Sequence, residues 1–107
     1  MTTPKAPKGL SRSAVKIWKQ IQVEYEIDDS QGLELLNEYA RSWDEAQEAR
    51  AYIAKHGAVV INETTGVHRA NPACSILKEA TSRMLRCLQQ LQLDVEPAGP
   101  IGRPPGR

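Results

Sequence analysis

Five cations open the chain with no acid among them: Lys5, Lys8, Arg12, Lys16 and Lys19. Arg12, Lys16 and Lys19 recur at spacings of four and three, which on a helix gathers them into one stripe. Such a stripe suits a polyanion such as a phosphate backbone. With no evident base-reading Asn or Gln pair beside it, it predicts phosphate contacts and modest sequence preference. A merely solubilising arm is the other reading of the same residues. Arg69, Arg83 and Arg86 form a rival cationic set nearer the C-terminus.

Residues that carry catalysis or hold metals do not gather. The chain contains no GxxxxGKS/T loop, GxGxxG turn, CxxC pair or HExxH helix. His68 and Asn71, between a hairpin and a helix, have the order of a ββα-metal nuclease. Such a site needs further ligands from the following helix, and that helix offers only Glu79 beside Lys78, Arg83 and Arg86. His56 and His68 therefore read as structural or solvent-facing groups. Ser75, Thr81 and Ser82 have no His placed to activate them. Cys74 and Cys87 share one predicted helix and stand roughly 20 Å apart at about 1.5 Å per residue, too far for a disulfide. They read as small apolar residues in a reducing compartment. No catalytic residue, cofactor or metal is expected.

These residues sit in a chain of 107 residues whose net charge of +1 hides an asymmetry. Residues 1–19 sum to +5, 20–56 to −6, 57–96 to zero and 97–107 to +2. The basic end suits a polyanion. The acidic run Asp44, Glu45 and Glu48 reads as a solvated face or as a site for a basic partner. No run approaches the roughly 18 apolar residues of a membrane span, and no signal-peptide core opens the chain. No membrane association and a cytosolic location are expected.

The hydrophobic pattern predicts a mainly α fold: a short N-terminal helix, then two long antiparallel helices joined by a small β-hairpin. One helical domain over residues 10–95 lies between a flexible basic arm at 1–9 and a disordered, Pro- and Gly-rich tail at 96–107. The first helix, 11–25, is capped by Ser11 or Ser13 and carries Ala14, Val15, Trp18, Ile21 and Tyr25 on its apolar face. Trp18 reads as a core anchor rather than a base-stacking residue. The second, 30–56, starts at Asp28-Asp29-Ser30 and follows a seven-residue repeat. Leu36, Trp43 and Arg50 hold one seam position, and Tyr39, Ala46 and Ile53 hold the other.

Gly57 reads as a left-handed cap on that helix. Val59, Val60 and Ile61 form one strand, Asn62 to Gly66 the turn, and Val67 to Ala70 the return, within a hairpin at 58–70. Asn71 caps and Pro72 opens the third helix, 72–92, whose seam is Ala73, Leu77, Ala80, Met84, Cys87 or Leu88, and Leu91. Ile76 and Leu85 widen its apolar stripe. Such a rod exposes more apolar surface than one short helix covers, so assembly is expected through Leu36, Tyr39, Trp43, Ile53, Leu77 and Met84. The hairpin either folds onto its own helices or pairs with another subunit.

The ordered series has a counterpart. A basic, Pro-containing start leads to Ala14-Val15-Lys16-Ile17-Trp18. Tyr39-Ala40 and Trp43 precede Tyr52-Ile53-Ala54-Lys55-His56-Gly57. A hairpin with Thr65-Gly66 then leads through Asn71-Pro72 to Leu88-Gln89-Gln90-Leu91-Gln92-Leu93. Over about residues 10 to 97 this resembles the small subunit of tailed-bacteriophage terminases, in the short helix–hairpin–helix family. The departure is Leu91-Gln92-Leu93-Asp94-Val95-Glu96-Pro97, where members often carry a Leu-Gly-Leu-Thr-Pro-like stretch.

The resemblance implies a non-enzymatic packaging factor in the host cytoplasm during virion assembly. It implies recognition of double-stranded viral DNA, a homo-oligomeric ring and delivery of DNA to a terminase large subunit carrying ATPase and nuclease. More than four copies are expected, joined through the second and third helices, with ring closure following if the contact is head to tail. A helical adaptor without nucleic-acid binding is the alternative.

Overall fold

The computed structural model describes residues 4–91; the expected tail, and the segment 92–95 before it, lie outside the described residues. Three helices and one hairpin follow in order: α1 (Arg12–Glu24), α2 (Ser30–His56), β1 (Val59–Ile61), β2 (His68–Ala70) and α3 (Pro72–Gln90). Each helix begins on a side chain that accepts from an otherwise unpaired backbone N–H. Ser11 Oγ accepts from Ala14, an Asp29 carboxylate oxygen from Gly32, and Asn71 Oδ1 from Ala73.

Between α1 and α2 the chain reverses through Glu26, a non-glycine residue at φ 50°. The buried Gln22 holds this reversal: its Nε2 donates to the Ile27 carbonyl at 2.8 Å, and the Ile27 N–H returns to the Gln22 carbonyl. Ile27 is thereby buried rather than left in an exposed break. A Cβ on Gly32 would come within 2.9 Å of Ile27 and 2.7 Å of the Asp29 carboxylate, so the first turn of α2 requires a glycine.

Gly57 ends α2 with a positive φ of 87°, but its ψ of 160° is extended rather than left-handed helical. The residue therefore releases the chain directly into β1. The antiparallel hairpin pairs Val59 with Ala70, Val60 with Arg69 and Ile61 with His68. Asn62 Oδ1 accepts from the Thr64 and Thr65 N–H groups to close the turn. Every residue from Ile61 to Ala70 is exposed, so the hairpin stands clear of its own helices.

Asn71 is wholly buried at the junction of hairpin and helix. Its N–H donates to the Ala58 carbonyl, its Nδ2 to the Gly57 carbonyl and its Oδ1 caps α3. From this tie α3 runs antiparallel along α2. Arg83 Nε donates to Ser42 Oγ at 3.2 Å, and its guanidinium pairs with Glu45 and, at 3.8 Å, with Glu38. The seam between the two helices buries Ala46, Ala49, Ala73, Ala80 and Cys87. A second cluster, of Ala14, Trp18, Ile27, Leu36 and Ala40, joins α1 to the first half of α2, with Leu91 against it. Leu10 also packs there, and so does Ala6 from the segment expected as a flexible arm. Ile76 and Leu85, expected to widen the apolar stripe of α3, are 49% and 54% exposed.

Two ionisable groups lie in the α2–α3 seam. Burial pushes the Tyr39 phenol above its ordinary 10.0, and the neighbouring Cys87 adds to the shift. Burial, then Glu38, raises the Cys87 thiol above 9.0, with Arg86 and Arg83 opposing. In each case the neutral form is favoured by folding. The associated stability is full below the ordinary values and is lost as pH rises through the raised ones.

Tyr39→Phe, which keeps the ring without the ionisable group, should therefore lose less Tm than the parent between about pH 9.5 and pH 11.5. Parallel losses in a thermal melt series would show that Tyr39 does not contribute. Asn71→Ala should cost about 2–4 kcal/mol in urea unfolding, because a cap is lost and a carbonyl is left without its donor. Asp29→Ala, which removes only a cap, should cost about 1 kcal/mol. Equal costs would show that the bond to Gly57 adds nothing.

Candidate nucleic-acid interface

The position of the cationic stripe follows from how α1 is fastened. Ala14, Trp18 and Gln22 are its buried residues and face α2. The indole N–H of Trp18 donates to Asn37 Oδ1 at 2.8 Å, satisfying the one polar atom of a ring that is 1% exposed. At the start of the helix, Asp44 accepts from both the N–H of Ser11, at 2.8 Å, and its hydroxyl, at 2.6 Å. These contacts fix the rotation of α1 about its axis.

With the core face so fixed, Arg12, Lys16 and Lys19 fall on the opposite side and are all exposed. Among the described residues none of them makes an ion pair. Lys5 and Lys8 precede the helix and are also exposed. The structure thus brings Arg12, Lys16 and Lys19 together on one rigid face and leaves Lys5 and Lys8 on the segment leading to it. A phosphate backbone meeting this face finds cations whose charge is not already taken up internally.

The rival set is divided. Arg83 is committed to Glu45, Glu38 and Ser42, while Arg69 lies exposed on β2 and Arg86 exposed on α3. His68 is exposed on β2 and Asn71 is spent on capping. His56 stacks on Tyr52 with ring centroids 4.2 Å apart. Among the described residues no group of three or more His, Cys, Asp or Glu side chains is placed to hold a metal ion. None of the described helices is long and apolar enough to cross a membrane.

The expected assembly residues divide by burial. Leu36 is wholly enclosed in its own chain, whereas Tyr39, Trp43, Ile53, Leu77 and Met84 are half-buried along the helices. Sequence reasoning did not find Asn37, Gln22 or the Ser11–Asp44 contact. For Asn37 a signal existed: a polar residue lies inside the apolar face of Leu33, Leu36 and Ala40, and a buried indole needs an acceptor. The acidic run also proves divided, with Asp44 holding Ser11, Glu45 holding Arg83 and Glu48 exposed.

Comparison with known proteins places this arrangement. No match was found among curated proteins or among solved structures. A family model described as phage terminase, small subunit, matches residues 14–99, a span that takes in nearly all of α1, the whole of α2, the hairpin and α3. The chain belongs to the phage terminase small subunit family, and its role lies in phage DNA packaging.

Proposed function

We propose that this chain recognises double-stranded viral DNA as a homo-oligomeric ring of more than four copies and hands it to the terminase large subunit in the host cytoplasm, catalysing nothing itself. The observation that carries the reading is the exposed, unpaired stripe of Arg12, Lys16 and Lys19 on a helix whose rotation is fixed from behind by Trp18 and Asp44. A ring repeats that stripe in every subunit, so weak single contacts add through multivalency.

Assembly draws support from an inverted distribution of apolar side chains. Among the described residues, six of the ten buried apolar ones are alanines, while Val59, Ile61, Val67, Tyr52, Ile76 and Leu85 are about half exposed. Surface of this kind gains by meeting another copy. The hairpin supplies an edge for the meeting. Asn71 donates to Ala58 and Asn62 to Val67, so by alternation the N–H groups of Val59 and Ile61 point away from β2.

Native mass spectrometry of the purified chain should give a closed assembly above the tetramer, and a stable folded monomer at micromolar concentration would overturn the ring. Ile61→Pro removes an outward donor without touching the intrachain ladder, so it should reduce assembly if hairpins pair edge to edge. Unchanged mass in that variant would remove the strands from the interface.

Lys16→Glu with Lys19→Glu should weaken DNA binding by about tenfold or more at low salt. The slope of log affinity against log salt should become shallower by about 0.9 for each phosphate no longer neutralised, with the ring intact. Unchanged affinity in that double variant, together with loss in Arg86→Glu, would move the interface to α3. No salt-dependent binding at all would favour the adaptor reading.

A further inference from the structure

Where α2 nears the hairpin, its last turns and the first turns of α3 border a groove of about 580 Å³. Ala49, Tyr52, Pro72 and Ile76 make it largely apolar, and Tyr52 and Ile76 are 52% and 49% exposed there. Glu48 enters from α2 and Glu79 from α3; both are exposed, and neither makes an ion pair among the described residues. An apolar, aromatic-bearing floor between two uncompensated carboxylates fits a ligand that is apolar and cationic at once. Proline-rich segments dock on aromatic-bearing grooves in this way, and an arginine in such a segment pairs with a carboxylate at the rim.

The chain carries such a segment. Residues 97–107 read Pro-Ala-Gly-Pro-Ile-Gly-Arg-Pro-Pro-Gly-Arg, with two arginines and no acid. They follow Leu91, which packs against the Trp18 cluster at the far end of α3. From Leu91 back to Ile76 the helix spans roughly 22 Å at about 1.5 Å per residue. The ten residues from Leu91 to Ile101 reach up to about 33 Å when extended, so the segment can return along its own α3 to the groove. We infer that the groove is the docking site of this chain's own C-terminal segment. Ile101 and the prolines rest on Tyr52 and Ile76, and Arg103 and Arg107 face Glu48 and Glu79. This inference goes beyond DNA binding and does not rest on it.

Photo-crosslinking of the full chain with Ile101→p-benzoylphenylalanine tests it. Peptide mapping should place the adducts on residues 49–52 and 72–79. Charge reversal by Glu48→Lys with Glu79→Lys should reduce the yield by about fivefold. Arg103→Glu with Arg107→Glu, which alters no described residue, should give the same loss even if the glutamate variant folds poorly. Adducts on α1 or the hairpin, no adduct, or a yield indifferent to both reversals would overturn the inference. In a mixture of isotopically light and heavy chains, adducts joining light to heavy would also overturn it, by assigning the groove to a neighbour's segment.

Discussion

The arrangement of the two long helices depends on one buried primary amide. The last carbonyls of α2 and the first N–H groups of α3 lack partners within their helices. Asn71 serves both ends at once, giving Nδ2–H to Gly57 and receiving the Ala73 N–H on Oδ1. Aspartate has no donor for the first bond, and serine is too short to make both. Being 0% exposed, the amide has no water to fall back on, so the two bonds form together or the junction opens. Its backbone N–H, bonded to Ala58, closes the hairpin at the same point. The phase of α3 along α2 follows, and with it the meeting of Arg83 with Glu45 and Ser42.

What could be read from the sequence was local. Ser11, Asp29 and Asn71 announce three helix starts because capping chemistry acts over two or three residues. The apolar spacings of Trp18, Leu36, Ala46, Ala80 and Cys87 mark the buried faces for the same reason. The basic stripe was readable because a single helix carries Arg12, Lys16 and Lys19. Contacts between distant residues were not. The acidic run looks uniform in sequence, yet Asp44 and Glu45 take different partners, at the N-cap of α1 and on α3, 33 and 38 residues away. Only the crossing of three helices decides which. Gly57 was expected in a left-handed helical conformation but combines its positive φ with an extended ψ, leading into β1 two residues later.

Small residues in the seam bear directly on the proposed assembly. Alanines at positions 46, 49, 73 and 80 let the helix backbones approach closely, but each removes little apolar area from water. At roughly 25 cal/mol per Å², the larger gains come from Trp18 and Leu36, both in the cluster that fastens α1. The hairpin end of the α2–α3 seam buries only small side chains, with the partly exposed Arg83 ion pairs farther along, while Val59, Ile61 and Val67 stay in solvent. In the proposed ring this weakly cored end is where burial would be gained on assembly, and the well-cored end is where α1 presents its cations. In that proposal assembly and DNA contact fall at opposite ends of the rod, so a neighbouring subunit would cover the apolar surface without covering the stripe.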